Sequence, residues 1–205
     1  MLTKTGGAAL VSLQALMIPA YADQAECEKT VRALLYPWDE NKPGLERNRF
    51  GEIKQTIDGT KMGGFSLQTP DGSLFFDLDK NPVSLSFTTG ETFWSPDKGN
   101  SWKLSNANLK EVMEAEYAKL RKQADEATNI TCEYGIGFEG KTVNHYSVDF
   151  IIKGNGDKAH QEYWVDAETG FGWRDIFHST GSADVYIEGN YQPAPDMTLP
   201  PKPVI

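Results

Sequence analysis

Hydrophobic and polar residues alternate with a period of two along most of this chain. The clearest examples are residues 83–87, 132–138, 146–150 and 185–191. A strand with this pattern buries one face and exposes the other to solvent, which is typical of antiparallel sheets. Turn signals such as Asp58-Gly59 and Gly154-Asn155-Gly156 separate the segments. The pattern predicts about ten or eleven strands joined by short turns, each pairing with its neighbour in a meander.

Two further segments have helical spacing. Residues 23–35 place apolar side chains on one stripe, and Pro37 follows where a helix would end. The second segment begins near a cap at Asn106 or Asn108 and repeats apolar residues at three- and four-residue steps: Leu109, Val112, Met113, Tyr117 and Leu120. We expect an α+β fold, a curved antiparallel meander of about 10–11 strands forming an open half-barrel with two helices packed on its concave side.

The N-terminus has the features of a secretory signal peptide. Lys4 precedes an apolar run over residues 6–20, and Ala20-Tyr21-Ala22 offers small residues for cleavage before Asp23. The run is too short to span a bilayer permanently, and the alternative is a buried N-terminal helix. The expected division is a signal peptide at 1–22 and one periplasmic domain at 23–205. Its proline-rich tail, residues 192–205, is expected to be extended and frayed at its end.

Composition narrows the class of protein. The 205 residues are 39% hydrophobic and 24% charged, which is typical of a globular domain, and the formal net charge is −9. A net negative surface argues against nucleic acid as a partner and against direct adhesion of the protein to anionic lipid headgroups. The two cysteines, Cys27 and Cys132, predict a disulfide in an oxidising compartment, with free buried thiols as the alternative. Closing a loop of that length would stabilise the fold by roughly 4 to 5 kcal/mol.

A local motif near the C-terminus supports a family resemblance. It comprises Tyr163-Trp164-Val165-Asp166, then Thr169-Gly170 and Arg174, followed by a strand at 184–191 and a closing Thr198-Leu199-Pro200. Together with the order of elements, this resembles the LolA/LolB-type lipoprotein-carrier superfamily. The resemblance implies an open half-barrel with a helical lid around a hydrophobic cavity that can hold acyl chains. The cysteine pair and the segment from Trp94 to Trp102 depart from the family pattern.

Few residues of the sequence are arranged in patterns typical of catalysis or metal binding. No Gly-x-Ser-x-Gly elbow and no HExxH-type zinc site is found. A solvent-facing ladder of cross-strand pairs is the favoured interpretation of one histidine and carboxylate set, which could instead bind a metal if its strands pair: His145, Asp149, His160 and Glu162. Aromatic residues on predicted strands could line a ligand cavity or fill an ordinary core: Phe65, Phe75, Phe87, Trp94, Tyr134, Phe138, Phe150 and Trp173.

The leading hypothesis is a non-enzymatic periplasmic protein without a cofactor. It would bind a hydrophobic or lipid-like ligand, or a lipoprotein, in the cavity of the half-barrel, gated by the second helix. One alternative is an envelope protein-interaction module without a cavity, using the segment around Trp94 and Trp102 or the proline-rich tail. A second alternative is a metal-dependent or hydrolytic enzyme that uses the histidine and carboxylate set.

Overall fold

The structure of the protein is a computed structural model. It describes residues 24–36, 39, 41–44, 48–107 and 110–204. The expected signal peptide lies outside the described residues, as do Asn108 and Leu109. The described elements are two helices and eleven strands: α1 (Gln24–Leu35), β1 (Arg49–Ile57), β2 (Thr60–Thr69), β3 (Gly72–Phe76), β4 (Pro82–Phe87), β5 (Glu91–Trp94), β6 (Lys103–Ala107), α2 (Lys110–Asp125), β7 (Thr128–Phe138), β8 (Lys141–Ile151), β9 (Lys158–Asp166), β10 (Gly172–Thr180) and β11 (Val185–Pro193).

All eleven strands form one antiparallel sheet in the order β6-β5-β4-β3-β2-β1-β11-β10-β9-β8-β7. Every neighbouring pair except β1 and β11 is consecutive in sequence, so the sheet consists of two meanders joined by that one long-range pairing. The α+β class, the antiparallel meander and the two helices packed against it are therefore confirmed.

The position of α2 shows that the sheet is strongly curved. This helix lies in sequence between β6 and β7, which are the two opposite edges of the sheet. In a flat sheet, ten steps of about 4.8 Å would separate those edges by about 48 Å. A helix of 16 residues is only about 24 Å long, so the edges must curl toward each other. Neither of the described helices is long and apolar enough to cross a membrane.

The first hydrophobic core lies between α1 and the second meander, β7–β11. Its buried members on the helix and on the sheet include Val31, Leu34, Tyr146, Val148 and Phe150. A disulfide between Cys27 of α1 and Cys132 of β7 fixes the helix to this part of the sheet. The helical stripe predicted for residues 23–35 is therefore the face that α1 buries.

The second hydrophobic core lies against the first meander, β1–β6. Leu67, Leu74, Leu85 and Phe93 are buried neighbours in four successive strands. Their cover is the proline-rich tail, because Ala194, Met197 and Leu199 pack against them. The tail is extended, as expected, but it is an integral part of the second core rather than a free end.

The two cores occupy opposite faces of the sheet. Cross-strand pairing carries one face from Tyr146 through Tyr163, Asp175 and Gly189 to Ile53. Residues two positions along, Gly51 and Ser66, continue this face onto β2. Leu67 follows Ser66 in sequence and therefore points to the other side. The apolar side of the sheet thus changes from the helix-covered face in β7–β11 to the opposite face in β1–β6.

A bulge in β7 makes a second departure from simple alternation. The register between β7 and β8 shifts between Glu133 and Ile136. Gly135 lies inside the bulge at φ 65°, a left-handed conformation that favours glycine. Cys132 and Phe138 were expected on one face of the strand, but the extra residue places them on opposite faces.

Candidate ligand-binding site

A cavity of about 320 Å³ lies on the helix-covered face of the sheet, at the end where α1 meets the first strand. Six strands, β1–β4, β9 and β10, contribute lining residues, and the curl of the sheet brings them around one space. Seven lining residues are apolar or aromatic: Leu34, Pro43, Pro70, Phe87, Tyr163, Val165 and Phe171. The remaining wall is made largely of glycine, serine, threonine and glutamine, with Lys42 and Arg49 as cations.

The segment from Asn41 to Gly44 forms one side of the cavity. Asp39 orients it, because its carboxylate accepts a hydrogen bond from the Asn41 amide (2.8 Å) and its carbonyl accepts one from the Lys42 amide (3.0 Å). Gly44 has φ +66°, and a Cβ there would lie 2.7 Å from the Gly170 carbonyl oxygen. Only glycine permits this approach, so the segment is seated directly on the β9–β10 turn.

Arg49 is held rigidly at the start of β1. Its Nε and Nη2 donate to Gln68 Oε1 at 2.8 and 2.6 Å, and Nη2 also reaches Asp175 Oδ2 at 3.2 Å. The guanidinium lies over the Tyr191 ring, with Cζ 3.8 Å from the centroid. A planar cation stacked and bonded in this way keeps one orientation. Burial raises the pKa of Tyr191 above its ordinary value, so the phenol stays neutral.

Lys42 is the second cation of the cavity. Burial is the main cause that lowers its pKa to about 8, and the positive charge of Arg49 lowers it further, while Asp175 acts in the opposite direction. Among the described residues, Lys42 makes no ion pair. The cavity therefore carries a partly buried positive charge that its own side chains do not neutralise.

The motif that carries the family resemblance forms the turn beneath this cavity. Asp166 Oδ1 accepts hydrogen bonds from the amide and hydroxyl of Thr169 at 2.8 and 2.9 Å. Its Oδ2 accepts one from Trp173 Nε1 at 3.2 Å. These bonds fix the β9–β10 turn, and Val165 and Phe171 at its two ends line the cavity. The motif therefore has a structural task at the site, which is to position one wall.

Both helices reach the rim of the cavity. The Tyr163 hydroxyl on β9 donates to the carbonyl of Leu34 near the end of α1 (3.3 Å). On α2, the Tyr117 hydroxyl donates to the carbonyl of Thr88, a lining residue (3.1 Å). Arg32 of α1 bonds the last carbonyl groups of α2, at Ala124 and Asp125. The helices thus form a connected roof over the curled sheet.

The eight aromatic candidates are spread over the described structure. Phe87 lines the cavity. Phe150 belongs to the first core and also borders a separate open groove, and Tyr134 packs edge-on against Tyr146. Phe138 stacks on Trp164 on the opposite face of the sheet, where the bulge places it. The remaining four lie elsewhere: Phe65 on Phe50, Phe75 against Gly64, Trp94 at the surface, and Trp173 against Phe171.

The histidine and carboxylate set does come together, as the strand pairing suggested. His145 Nε2 lies 2.8 Å from Glu162 Oε2, and His160 Nδ1 lies 2.6 Å from Asp149 Oδ1. Glu133 pairs with the other ring nitrogen of His145 at 3.2 Å. Within the described residues, no group of three or more His, Cys, Asp or Glu side chains is arranged to hold a metal ion. The arrangement is a ladder of hydrogen-bonded cross-strand pairs along the outer face of β7–β9.

The segment between the two tryptophans is an ordered loop between β5 and β6. Asp97 closes it by accepting hydrogen bonds from the amide and hydroxyl of Ser101, both at 2.7 Å. Trp94 is 44% exposed, with Lys103 beside its ring, whereas Trp102 packs against the second core. The two rings therefore do not form one exposed surface.

Sequence reasoning missed the polar residues of the cavity: Lys42, Arg49, Gln68, Ser73 and Ser86. Lys42 stands in an irregular segment, where no periodicity marks it, and Arg49 reads simply as the first residue of a strand. A weak signal was available in the small residues of β2–β4, which are too short to fill the space beside them.

Comparisons of the whole chain place its fold among known structures. No family model and no curated protein matches the sequence. The structure is similar to that of lipoprotein LppX from Mycobacterium tuberculosis, with 10% identity and a TM-score of 0.47, over 82% of this chain and 95% of that one. It is also similar to MucB, with 11% identity and a TM-score of 0.37, over 88% of this chain and 62% of MucB.

A third similarity is to a structure from the LolA superfamily. A LolA superfamily protein from Nitrosomonas europaea matches over 87% of this chain and 96% of its own, with 8% identity and a TM-score of 0.33. At these identities and TM-scores the similarity concerns the path of the backbone. Function must therefore be argued from the cavity.

Proposed function

We propose that this protein is a non-enzymatic binding protein that holds a single-chain, lipid-like molecule in the cavity beneath α1. The observation that carries the proposal is the cavity itself, about 320 Å³ in volume with Leu34, Phe87, Val165 and Phe171 in its wall. This volume is at the lower end of the range of about 300 to 1,000 Å³ for small-molecule sites. It suits one chain better than a whole diacyl lipid.

The surroundings of the cavity support binding rather than catalysis. The described lining residues include no histidine, cysteine or carboxylate, the side chains that most often serve as general base or thiol nucleophile. The histidine ladder lies on the other face of the sheet, and three of the four ring nitrogens of His145 and His160 are hydrogen-bonded to carboxylates. Burial of the ligand's apolar part would supply the affinity, because removal of apolar surface from water is the main driving force.

We place the protein outside the cytoplasm, as one domain after removal of residues 1–22. The disulfide between α1 and β7 supports this location, because such bonds persist mainly in oxidising compartments. Mass spectrometry of the protein recovered from the periplasm of an expressing bacterium measures the mature N-terminus. A chain that begins at Asp23 agrees with the proposal, and an intact chain retained in the cytoplasm contradicts it.

Isothermal titration of detergent-free protein with decyl amphiphiles tests the function. Ser86 lines the cavity, so Ser86→Phe would fill it. Ser84 lies on the same strand and the same face, outside the lining, so Ser84→Phe is the matched control. We expect wild type and Ser84→Phe to bind and folded Ser86→Phe to lose at least about tenfold in affinity. Absence of binding by the wild type, or equal affinity of the two variants, would overturn the proposal.

A further inference from the structure

The described lining of the cavity carries positive charge, whereas the chain as a whole has a net charge of −9. Acidic residues make up 29 of the 205 residues, so two or three would be expected among the eighteen that line the cavity. None of these eighteen lining residues, all within the described part of the chain, is acidic, and Lys42 and Arg49 both contribute. The side chain of a third lining cation, Arg174, lies over Trp164 and pairs with Glu188 on the outer face. The local charge is therefore a property of the site and not of the composition.

Arg49 leaves one nitrogen available at the cavity wall. Nε and Nη2 are committed to Gln68 and Asp175. Nη1 lies 3.0 Å from the position that a Cβ of Gly172 would occupy, and Gly172 is a lining residue. The missing side chain at Gly172 leaves room beside this nitrogen. Because the other bonds fix the guanidinium plane, Nη1 is a preorganised donor for an anion.

Lys42 supplies the second half of the site. A partly buried ammonium without an ion-pair partner is costly to maintain, because its hydration is reduced and nothing replaces it. Of the charged groups packed around it, Arg49 on β1 opposes its charge and Asp175 on β10 favours it. The phenol of Tyr163 on β9 is neutral, because burial raises its pKa above the ordinary value. An anion in the cavity would compensate Lys42 directly.

We propose that the lipid-like ligand carries an anionic head group, a carboxylate or a phosphate ester, that binds between Lys42 Nζ and Arg49 Nη1. This inference rests on the proposed function and deepens it. The apolar chain would then lie along Leu34, Val165 and Phe171. The expected ligand class is a free fatty acid or a single-chain alkyl phosphate; neutral amphiphiles should bind more weakly, and cationic ones not measurably.

Four decyl amphiphiles that differ only in the head group separate the possibilities in isothermal titration of the full domain: decanoate, decyl phosphate, decanol and decyltrimethylammonium. We expect the anions to bind about ten- to one-hundredfold more tightly than decanol, because hydrogen bonds between charged groups are the stronger ones. The cationic amphiphile should not bind measurably. Comparison of the carboxylate with the phosphate identifies which anion the site prefers.

Variants of Lys42 connect the preference to this site. Lys42→Met should reduce affinity for decanoate by at least about tenfold and leave affinity for decanol unchanged. The exposed Lys61 on β2 provides the control, and Lys61→Met should change neither affinity. Near pH 8, binding of decanoate should also take up a fraction of a proton, because the anion favours the charged lysine. Titration in buffers of different ionisation enthalpy measures this uptake, which Lys42→Met should abolish.

The outcomes distinguish this inference from the proposed function. If no decyl compound binds the wild type, both are overturned. If decanol binds as tightly as decanoate, or Lys42→Met leaves the preference for anions intact, the head-group site is wrong and the binding function stands. Selective loss of anion affinity in Lys42→Met, with Lys61→Met unchanged, supports the inference.

Discussion

Each of the two meanders has one apolar side that must be covered, and these two sides lie on opposite faces of the sheet. Strands β7–β11 turn their apolar side toward α1, and the disulfide at Cys27 and Cys132 holds the helix in place. Strands β1–β6 turn their apolar side away from the helices, and the C-terminal tail covers it. On the concave side, the first meander therefore presents glycine and serine, such as Gly51, Ser66 and Ser86.

This difference explains why the protein has a cavity at all. Protein interiors are close-packed where large side chains meet, and the first core shows such packing between α1 and the second meander. Side chains as small as Ser73 and Ser86 cannot reach across the concavity to the helices. Space remains at the boundary between the two halves, where Arg49 of the first meander and Lys42, which precedes it, face apolar residues of the second. The change of apolar face thus produces both the volume and the amphipathic lining.

The largest expected effect comes from separating α1 from the second meander. Replacement of Cys27→Ser together with Cys132→Ser should lower the free energy of unfolding by about 4 kcal/mol, because the bond spans a separation of 105 residues. Urea denaturation measures the loss. Ligand binding should weaken as well, because Leu34 of α1 lines the cavity. A loss below about 1 kcal/mol would show that packing alone holds the helix.

A slightly smaller effect is expected in the core under the tail. Leu85 is fully buried in the second core, so Leu85→Ala should cost about 3 kcal/mol in free energy of unfolding. Leu78 is 69% exposed, and Leu78→Ala should change stability by less than about 0.5 kcal/mol. Chemical denaturation of both variants is the measurement. Equal values would mean that the tail does not form a core with β1–β6.

Lys42→Met should stabilise the unliganded protein, by about 1 kcal/mol near neutral pH, because it removes a partly buried unpaired charge. The pKa of Lys42 is about 8 in the fold, compared with 10.5 as the ordinary value. Below about pH 8 the lysine is charged in both states, and the charge disfavours the folded one. As pH rises from about 8 to about 10.5, Lys42 loses its proton in the folded protein but keeps it in the unfolded chain. The wild type is therefore stabilised, and the difference in unfolding free energy between Lys42→Met and wild type should shrink.

Thermal denaturation at several pH values checks this difference, with Lys61→Met as the control that should show no such trend. A constant gap between wild type and Lys42→Met across the range would contradict the burial of the charge. A destabilised Lys42→Met would indicate that the ammonium is already compensated within the protein.

The sequence predicted the helices and strands whose apolar residues recur at a regular spacing. Alternation at residues 146–150 and 185–191 marked strands, and the apolar stripe at 23–35 marked α1, because local periodicity reports which residues share a face. It does not report which side of the sheet that face occupies relative to the next strand. Ser66 and Leu67 show the difference, since register with β1 and β3 decides which of them faces α1. The change of apolar face could therefore not be read from the alternation.

The candidate site was less predictable than the fold. Aromatic residues on strands were predicted as candidates to line a ligand cavity. In the structure, the bulge at Gly135 places Phe138 on the outer face of the sheet, and Phe150 packs in the first core. The position of Lys42 depends on the contact of Gly44 with Gly170. The position of Arg49 depends on the pairing of β1 with β11, which joins distant parts of the chain. Such long-range encounters depend on register, and no local pattern encodes them.

The smallest expected effect concerns the end of the tail. Lys202 hydrogen-bonds the Glu91 carboxylate, and together with Thr89 it lowers the pKa of Glu91 to about 2 from an ordinary value of 4.5. The contribution to stability is present above about pH 4.5 and is lost as pH falls through about 2. This surface pair should contribute less than about 1 kcal/mol, so stability is a poor probe of it.

An NMR titration of the Glu91 carboxyl group is the sharper measurement. In wild type the pKa should be depressed, and Lys202→Met should move it back toward 4.5. Lys80→Met is a suitable control, because that exposed lysine lies over the Phe65 ring rather than near Glu91. An ordinary pKa in the wild type would show that the tail leaves the sheet before Lys202. In that case the cover of the second core would end at Leu199, and the two halves of the sheet would differ even more in how firmly they are closed.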